Sequence, residues 1–114
     1  MDPTALAIAT TTFSQPSDAS EMARRLVREN LAACAQVEGP IESHYRWKDQ
    51  LLQETEWRLT IKTTAAAVPR LAEVVHQHHP YEQPQWVVVA VQSASEAYGS
   101  WVCDNVVAAG SGKP

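Results

Sequence analysis

The chain has 114 residues, of which 45% are hydrophobic, and a formal net charge of −4. A chain of this size is expected to bury about two-thirds of its unfolded surface in one domain. No basic cluster indicates nucleic-acid binding, and no apolar segment is long enough to span a membrane. Without a signal-peptide pattern, and with Cys34 and Cys103 outside any CxxC spacing, the sequence predicts a cytoplasmic protein with neither nucleic-acid nor membrane partners.

The first half of the chain predicts a strand, a helix and a long second strand. Residues 5–12 are almost all apolar or threonine, which is typical of a strand covered on both faces. A helix with one apolar stripe is expected from about residue 18 to about residue 30. Residues 35–47 then alternate between apolar and polar side chains, with a bulge expected at Gly39-Pro40.

The second half begins with a hairpin tip at residues 47–50 and a return strand through residues 57–63. A second helix is expected from near Pro69 to about His78, because Pro80 disfavours a helical backbone at the preceding residue. The residues predicted on its inner face are Leu71, Val74, Val75 and His78.

The last elements are a continuously apolar strand at residues 86–91 and a helix from about residue 95. The resulting order predicts an α+β, ferredoxin-like split β-α-β fold (βαββαβ), with a four-stranded antiparallel sheet and a C-terminal helix. We expect a single domain at residues 1–109 and a flexible tail at 110–114. The first and last strands are too apolar for an exposed sheet face, which predicts that another copy of the chain covers them.

Several ordered motifs make the chain resemble the CutA divalent-cation-tolerance family over nearly its whole length. They are Leu31-Ala32-Ala33-Cys34, Tyr45-Arg46-Trp47, Glu56 with Leu59, Ile61-Lys62-Thr63, His79-Pro80-Tyr81-Glu82, and Tyr98 with Trp101. The resemblance implies a homotrimer of ferredoxin-like subunits with a role in the tolerance of copper and other divalent cations. The alternative is a signalling or scaffold trimer that binds a small ligand or an unidentified partner protein in clefts between subunits.

The chain departs from the family pattern at four places. Asp49 replaces a frequent glycine at the hairpin tip, and Gly39-Pro40 reverses the usual Pro-Gly order. Gln85 replaces a usual glutamate, and Thr10-Thr11-Thr12 stand where some members have a cysteine. A copper site that depends on that thiolate would be weakened here.

Three residues are candidate metal ligands: His78, His79 and Cys34. Imidazole and thiolate bind Cu(II) and similar ions, so Cu(II) or another divalent cation is the expected ligand, with no organic cofactor. The histidines also suit the end of a helix, where they interact with its dipole. Cys34 is expected on one strand face with His44, and it can equally be a small residue packed in a subunit interface.

A polar cleft is predicted from five residues: Tyr45, Trp47, Lys62, Tyr81 and Glu82. This cleft could hold a small anion or a metal complex. Alternatively, Lys62 and Glu82 could form an ion pair within a chain or between subunits, because buried charges need partners. The sequence has no phosphate-binding glycine loop, no G-x-S-x-G motif and no metalloprotease motif, which predicts a protein that is not an enzyme.

Overall fold

The computed structural model describes residues 2–107 of the chain. The elements are β1 (Leu6–Phe13), α1 (Pro16–Arg28), β2 (Cys34–Trp47), β3 (Gln50–Thr64), a short 3-10 helix (Ala65–Ala67), α2 (Val68–His78), β4 (Val87–Ala90) and α3 (Glu96–Asp104). The predicted order of strands and helices is therefore confirmed. The tail expected at residues 110–114 lies outside the described residues.

The four strands form one antiparallel sheet in the order β2-β3-β1-β4. Helices α1 and α2 cover one face of this sheet. The main core between them contains Ala9, Phe13, Leu59 and Ile61 from the strands and Met22, Leu26, Leu71, Val74 and Val75 from the helices. This arrangement confirms the ferredoxin-like α+β fold, and α3 packs through Val102 in a second, smaller apolar cluster.

Helix α2 ends at His78, as predicted, but His78 is not buried with the other residues predicted on its inner face. Leu71, Val74 and Val75 are buried, whereas His78 is exposed. His79 has an extended backbone, as expected for a residue before proline, and its side chain is buried instead. His78 keeps the helical spacing of Leu71, Val74 and Val75, but it lies in the last turn of α2 and is exposed in a cleft beside α1.

The long strand β2 changes phase at the predicted bulge. Its pairing with β3 shifts between Glu38 and Ile41. Before the shift, the even-numbered residues of β2 pair with even-numbered residues of β3; after it, the odd-numbered residues do. Because paired residues share a sheet face, Cys34 lies on the face that carries Tyr45 and not on the face of His44. The predicted Cys34–His44 face is therefore wrong.

The hairpin between β2 and β3 turns through two residues, Lys48 and Asp49, as predicted. Their φ angles are 50° and 65°, which is the left-handed region that a two-residue type I′ turn requires at both positions. Aspartate tolerates this region better than most residues do. The tip therefore keeps a tight turn without the glycine that is frequent in the resembled family.

Strand β4 is an apolar edge strand. It pairs with β1 on one side only, and Val87, Val88 and Val89 are 48%, 37% and 52% exposed in the single chain. The coverage predicted for both faces of this strand is thus absent within one described subunit. Among residues 2–107, no helix combines the length and apolar character needed to cross a membrane.

Candidate functional site

The segment that follows α2 places its first side chain in the protein core. His79 is only 9% exposed, and its imidazole stacks on the ring of Phe13 with a distance of 4.3 Å between ring centroids. Pro80 then turns the chain away from the helix. The segment therefore begins with a ring that packs against strand β1.

Both ring nitrogens of His79 have hydrogen-bond partners. The backbone N–H of Tyr81 donates to Nδ1 at 3.1 Å, which assigns the ring proton to Nε2. Nε2–H donates to the carbonyl oxygen of Thr12 at 3.0 Å, and Oγ1 of Thr11 also lies 3.0 Å from Nε2. Burial lowers the pKa of His79 below its usual value, so the neutral imidazole is favoured.

Two residues further along, Tyr81 contacts both the ring of His79, with 4.9 Å between the ring centroids, and the hairpin. Its hydroxyl donates a 2.7 Å hydrogen bond to Oε2 of Glu56. Burial is the main reason why the pKa of Tyr81 is raised far above its usual value, and the hydrogen bond to the Glu56 carboxylate raises it further. The phenol thus remains protonated and is a fixed donor to Glu56, which is 7% exposed.

The hairpin and the segment after α2 enclose a cavity of about 720 Å³. Four of the five predicted cleft residues line it: Tyr45, Trp47, Tyr81 and Glu82. The fifth, Lys62, lines a separate cavity of about 190 Å³ near α3. The structure therefore does not bring Lys62 and Glu82 together within one chain.

The hairpin supplies most of the aromatic and acidic wall of the cavity. Ser43 and Tyr45 share a face with Glu54 and Glu56, as the pairing after the bulge requires. The Tyr45 hydroxyl donates to Oε1 of Glu54 at 2.8 Å, and this hydrogen bond raises the pKa of Tyr45. Each of the two cavity tyrosines is thereby attached to a carboxylate.

The three candidate metal ligands do not lie together. Cys34 pairs with Lys62 and lies on the sheet face opposite the helices, because the neighbouring Ile61 points into the helix-covered core. His78 lies on α2 in a small cleft that Asp18 and Glu21 also line. Within residues 2–107, no three His, Cys, Asp or Glu side chains are grouped so that they could hold an ion.

Sequence reasoning missed two carboxylates of the cavity, Glu54 and Glu56. Glu56 belongs to one of the motifs that resemble the family, but the sequence did not predict it as a cavity residue. It lies almost opposite the predicted bulge. Its partner across the hairpin is Ile41, the first residue after the shift. The predicted hairpin tip contains the missing signal. If Trp47 pairs with Gln50, then counting residue pairs from the tip puts Glu54 and Glu56 on the face of Tyr45.

Comparison with known proteins identifies relatives over most of the chain. A model of the family "CutA1 divalent ion tolerance protein" matches residues 7–105. The Divalent-cation tolerance protein CutA of Thermus thermophilus is 36% identical over 87 residues, covering 76% of this chain and 84% of that protein. The Protein CutA homolog of Xenopus laevis is 40% identical over 93 residues, covering 80% of this chain and 62% of the homolog.

A solved structure shows the same fold. The divalent cation tolerance protein from Thermus thermophilus superposes with a TM-score of 0.87 and 31% identity, covering 90% of this chain and 99% of that chain. The family match and the sequence relatives agree with this structural likeness, and they show family membership in addition to a shared fold. The chain therefore belongs to the CutA1 divalent ion tolerance protein family.

Proposed function

We propose that this protein acts in the tolerance of divalent cations as a cytoplasmic homotrimer. The observation that carries the proposal is the exposed apolar strand β4, in a chain of the CutA1 family. Apolar edge strands are uncommon on free surfaces, because their unpaired backbone groups and side chains promote association. Three copies are the assembly that the family resemblance implies, and the two free cysteines suit a reducing compartment.

Assembly is tested by introducing a charge on β4. We expect Val89→Glu to release monomers, because Val89 is half exposed in the single chain and a charge there cannot be buried without a partner. Val27→Glu is the matched control, since Val27 is also exposed but lies on α1. Native mass spectrometry of the untagged protein measures the outcome. A trimer that survives Val89→Glu, or a wild-type monomer, would contradict the proposed assembly.

For metal binding, we propose His78 as the principal ligand of Cu(II) or a similar ion. Its imidazole is exposed in a cleft that Asp18, Glu21 and Arg25 also line, and an imidazole nitrogen suits Cu(II). Because no three ligands are grouped for coordination within residues 2–107, the remaining donors would come from solvent or from another subunit. His79 could contribute only by giving up one of its hydrogen bonds. Cys34 lies on the other side of the sheet, so it would have to bind a separate ion or one shared with another subunit.

The same mass spectrometry experiment, repeated after Cu(II) is added, tests the metal site. We expect copper to bind to each subunit and to be lost in His78→Ala. His76→Ala is the control, because His76 is exposed on the same helix and its Nδ1 is hydrogen-bonded to the carbonyl oxygen of Ala72. Copper binding that persists unchanged in His78→Ala would contradict the assignment.

A second candidate function is the binding of a small ligand or a partner protein in clefts of the trimer. The observation that favours it is the 720 Å³ cavity lined by the tyrosines, the tryptophan and the acidic residues described above. Ligand sites commonly have volumes of roughly 300–1,000 Å³ and mix aromatic walls with a few polar groups. A screen of small molecules against the intact protein that finds no ligand, together with a negative pull-down, would count against this function.

A further inference from the structure

We propose that the cavity between the hairpin and the segment after α2 binds a small organic cation: an ammonium group carried on an aromatic or aliphatic body. This inference rests on the ligand-binding function proposed above, and it specifies the class of ligand. Three features of the cavity support it: the sign of its charge, a buried carboxylate without a basic partner, and the aromatic walls.

The formal charge of the cavity is negative. Glu54, Glu56 and Glu82 line it, and the basic side chains among its lining residues are limited to His44, whose Nε2 contacts the carboxylate of Glu42. Clefts lined by one sign of charge concentrate ligands of the opposite sign. An anion, which the sequence had suggested as one occupant, would be repelled from such a site, whereas a cation would be attracted.

Its burial distinguishes Glu56 from the other two carboxylates of the cavity, which are exposed. It is only 7% exposed, and none of the ion pairs formed among residues 2–107 includes it. Its hydrogen bond from Tyr81 stabilises the carboxylate but does not neutralise it. Buried carboxylates are almost always paired with a cation or a metal, and the open space beside Glu56 is this cavity.

The aromatic side chains favour an organic cation over a metal ion. Tyr45, Trp47 and Tyr81 supply ring faces, which attract ammonium groups but are not metal ligands. The Lys48 ammonium lies 5.9 Å from the ring centroid of Trp47, so a ligand ammonium at this ring would replace it. The carboxylates in the described part of the chain are not grouped for ion coordination.

The wall is also held in place before a ligand arrives. Hydrogen bonds of 2.7 Å and 2.8 Å attach the Tyr81 and Tyr45 hydroxyls to Glu56 and Glu54. Each carboxylate is therefore held at the hydroxyl end of a tyrosine ring. A site that is ordered in advance loses less conformational entropy when it binds.

The experiment is isothermal titration calorimetry of the full chain with phenethylammonium as the probe. Its neutral analogue 2-phenylethanol and its anionic analogue 3-phenylpropanoate have similar bodies and differ in charge. We expect binding of the ammonium compound, and affinities for both analogues that are lower by roughly tenfold or more. Sodium chloride should weaken the binding of the ammonium compound, because part of the attraction is electrostatic.

Two substitutions locate the binding. Glu56→Gln keeps an oxygen that accepts the Tyr81 hydrogen bond but removes the charge, and it should weaken phenethylammonium binding roughly tenfold or more. Trp47→Leu changes an exposed residue at a strand end and should weaken binding roughly two- to fivefold. Glu73→Gln, on the exposed side of α2, makes the same change in net charge and should leave the affinity unchanged.

The inference is overturned if phenethylammonium does not bind or if either analogue binds with equal or higher affinity. It is also overturned if Glu56→Gln and Trp47→Leu both leave the affinity unchanged. Binding of an analogue instead of the ammonium compound would reject the ligand class and still support a ligand-binding cavity. The copper and trimer experiments do not depend on these results. A failure of the proposed metal or trimer function can therefore be distinguished from a failure of the proposed ligand class.

Discussion

His79 and Tyr81 are two residues apart and their rings are in contact, with 4.9 Å between the ring centroids, yet their side-chain hydrogen bonds join them to different parts of the molecule. The imidazole of His79 is enclosed between Phe13 and the backbone of β1, with both nitrogens hydrogen-bonded. The phenol of Tyr81 reaches the hairpin and borders an open cavity. The comparison teaches that one short motif can contain a residue that stabilises the fold and, beside it, a residue that forms a site.

The largest effect is expected on the core side. His79→Ala should lower the free energy of unfolding by about 2–4 kcal/mol, because it leaves a cavity against Phe13 and removes hydrogen bonds from buried partners. Urea denaturation at a fixed protein concentration measures this loss. His76→Ala on the exposed side of α2 is the control, and an equal loss in both variants would remove the distinction drawn for His79.

A smaller effect is expected where the motif meets the cavity. Tyr81→Phe should cost about 1–2 kcal/mol of unfolding free energy, because the buried carboxylate of Glu56 loses its hydrogen-bond donor. The same denaturation assay applies. If adding Glu56→Gln to Tyr81→Phe fails to recover part of the loss, the cost does not arise from an unsatisfied carboxylate.

The pH dependence of stability tests the buried environment of His79. The folded pKa of His79 is lowered by burial, so the unfolded chain takes up its proton first as the pH falls. The stability contributed by neutral His79 is therefore fully present above the usual pKa of about 6.5 and is lost as the pH falls below it towards the folded value.

Denaturation curves recorded from about pH 7.5 to about pH 5 should show this loss in the wild type and a shallower dependence in His79→Gln. The expected change is smaller than that of His79→Ala, since protonation leaves the ring in place. An identical pH dependence in the two proteins would show that His79 titrates alike in the folded and unfolded chains.

The smallest effect is expected at the other tyrosine of the cavity. Tyr45→Phe removes a hydrogen bond to Glu54 that is exposed to solvent, so water replaces the lost donor and stability should not change measurably. The denaturation midpoint checks this expectation against Tyr81→Phe. A loss as large as that of Tyr81→Phe would mean that both sides of the cavity are structural.

Local sequence patterns predicted much of the fold. Alternation in β2, the two-residue hairpin tip and the proline after His79 correctly located the strand, the turn and the end of α2. These features depend on neighbouring residues only. The same patterns identified four of the residues that line the cavity, because aromatic and charged residues beside rigid turns are often exposed.

The errors arise where tertiary register decides the outcome. Cys34 was wrongly grouped with His44 because one bulge reverses the alternation, so that His44 lies on the other face of the sheet. Lys62 was placed in the cleft because the sequence gives its strand face but not its position along the sheet, and it lies beside α3 instead. His78 was expected on the inner face of α2 but is exposed, and the buried imidazole is that of His79, the residue after the helix. Glu56 was missed because its partners come from distant segments.

The bulge at Gly39-Pro40 also explains why the two strands of the long hairpin number their faces differently. Before the bulge the even-numbered residues of β2 share the face that carries the cavity, and after it the odd-numbered residues do, whereas the even-numbered residues of β3 lie on that face throughout. Deleting one residue at the bulge would therefore restore a regular ladder and leave the pairs on both sides unchanged, because Arg58 and Glu56 of β3 are already two residues apart. The extra residue bends and twists the hairpin without changing which side chains its outer part presents.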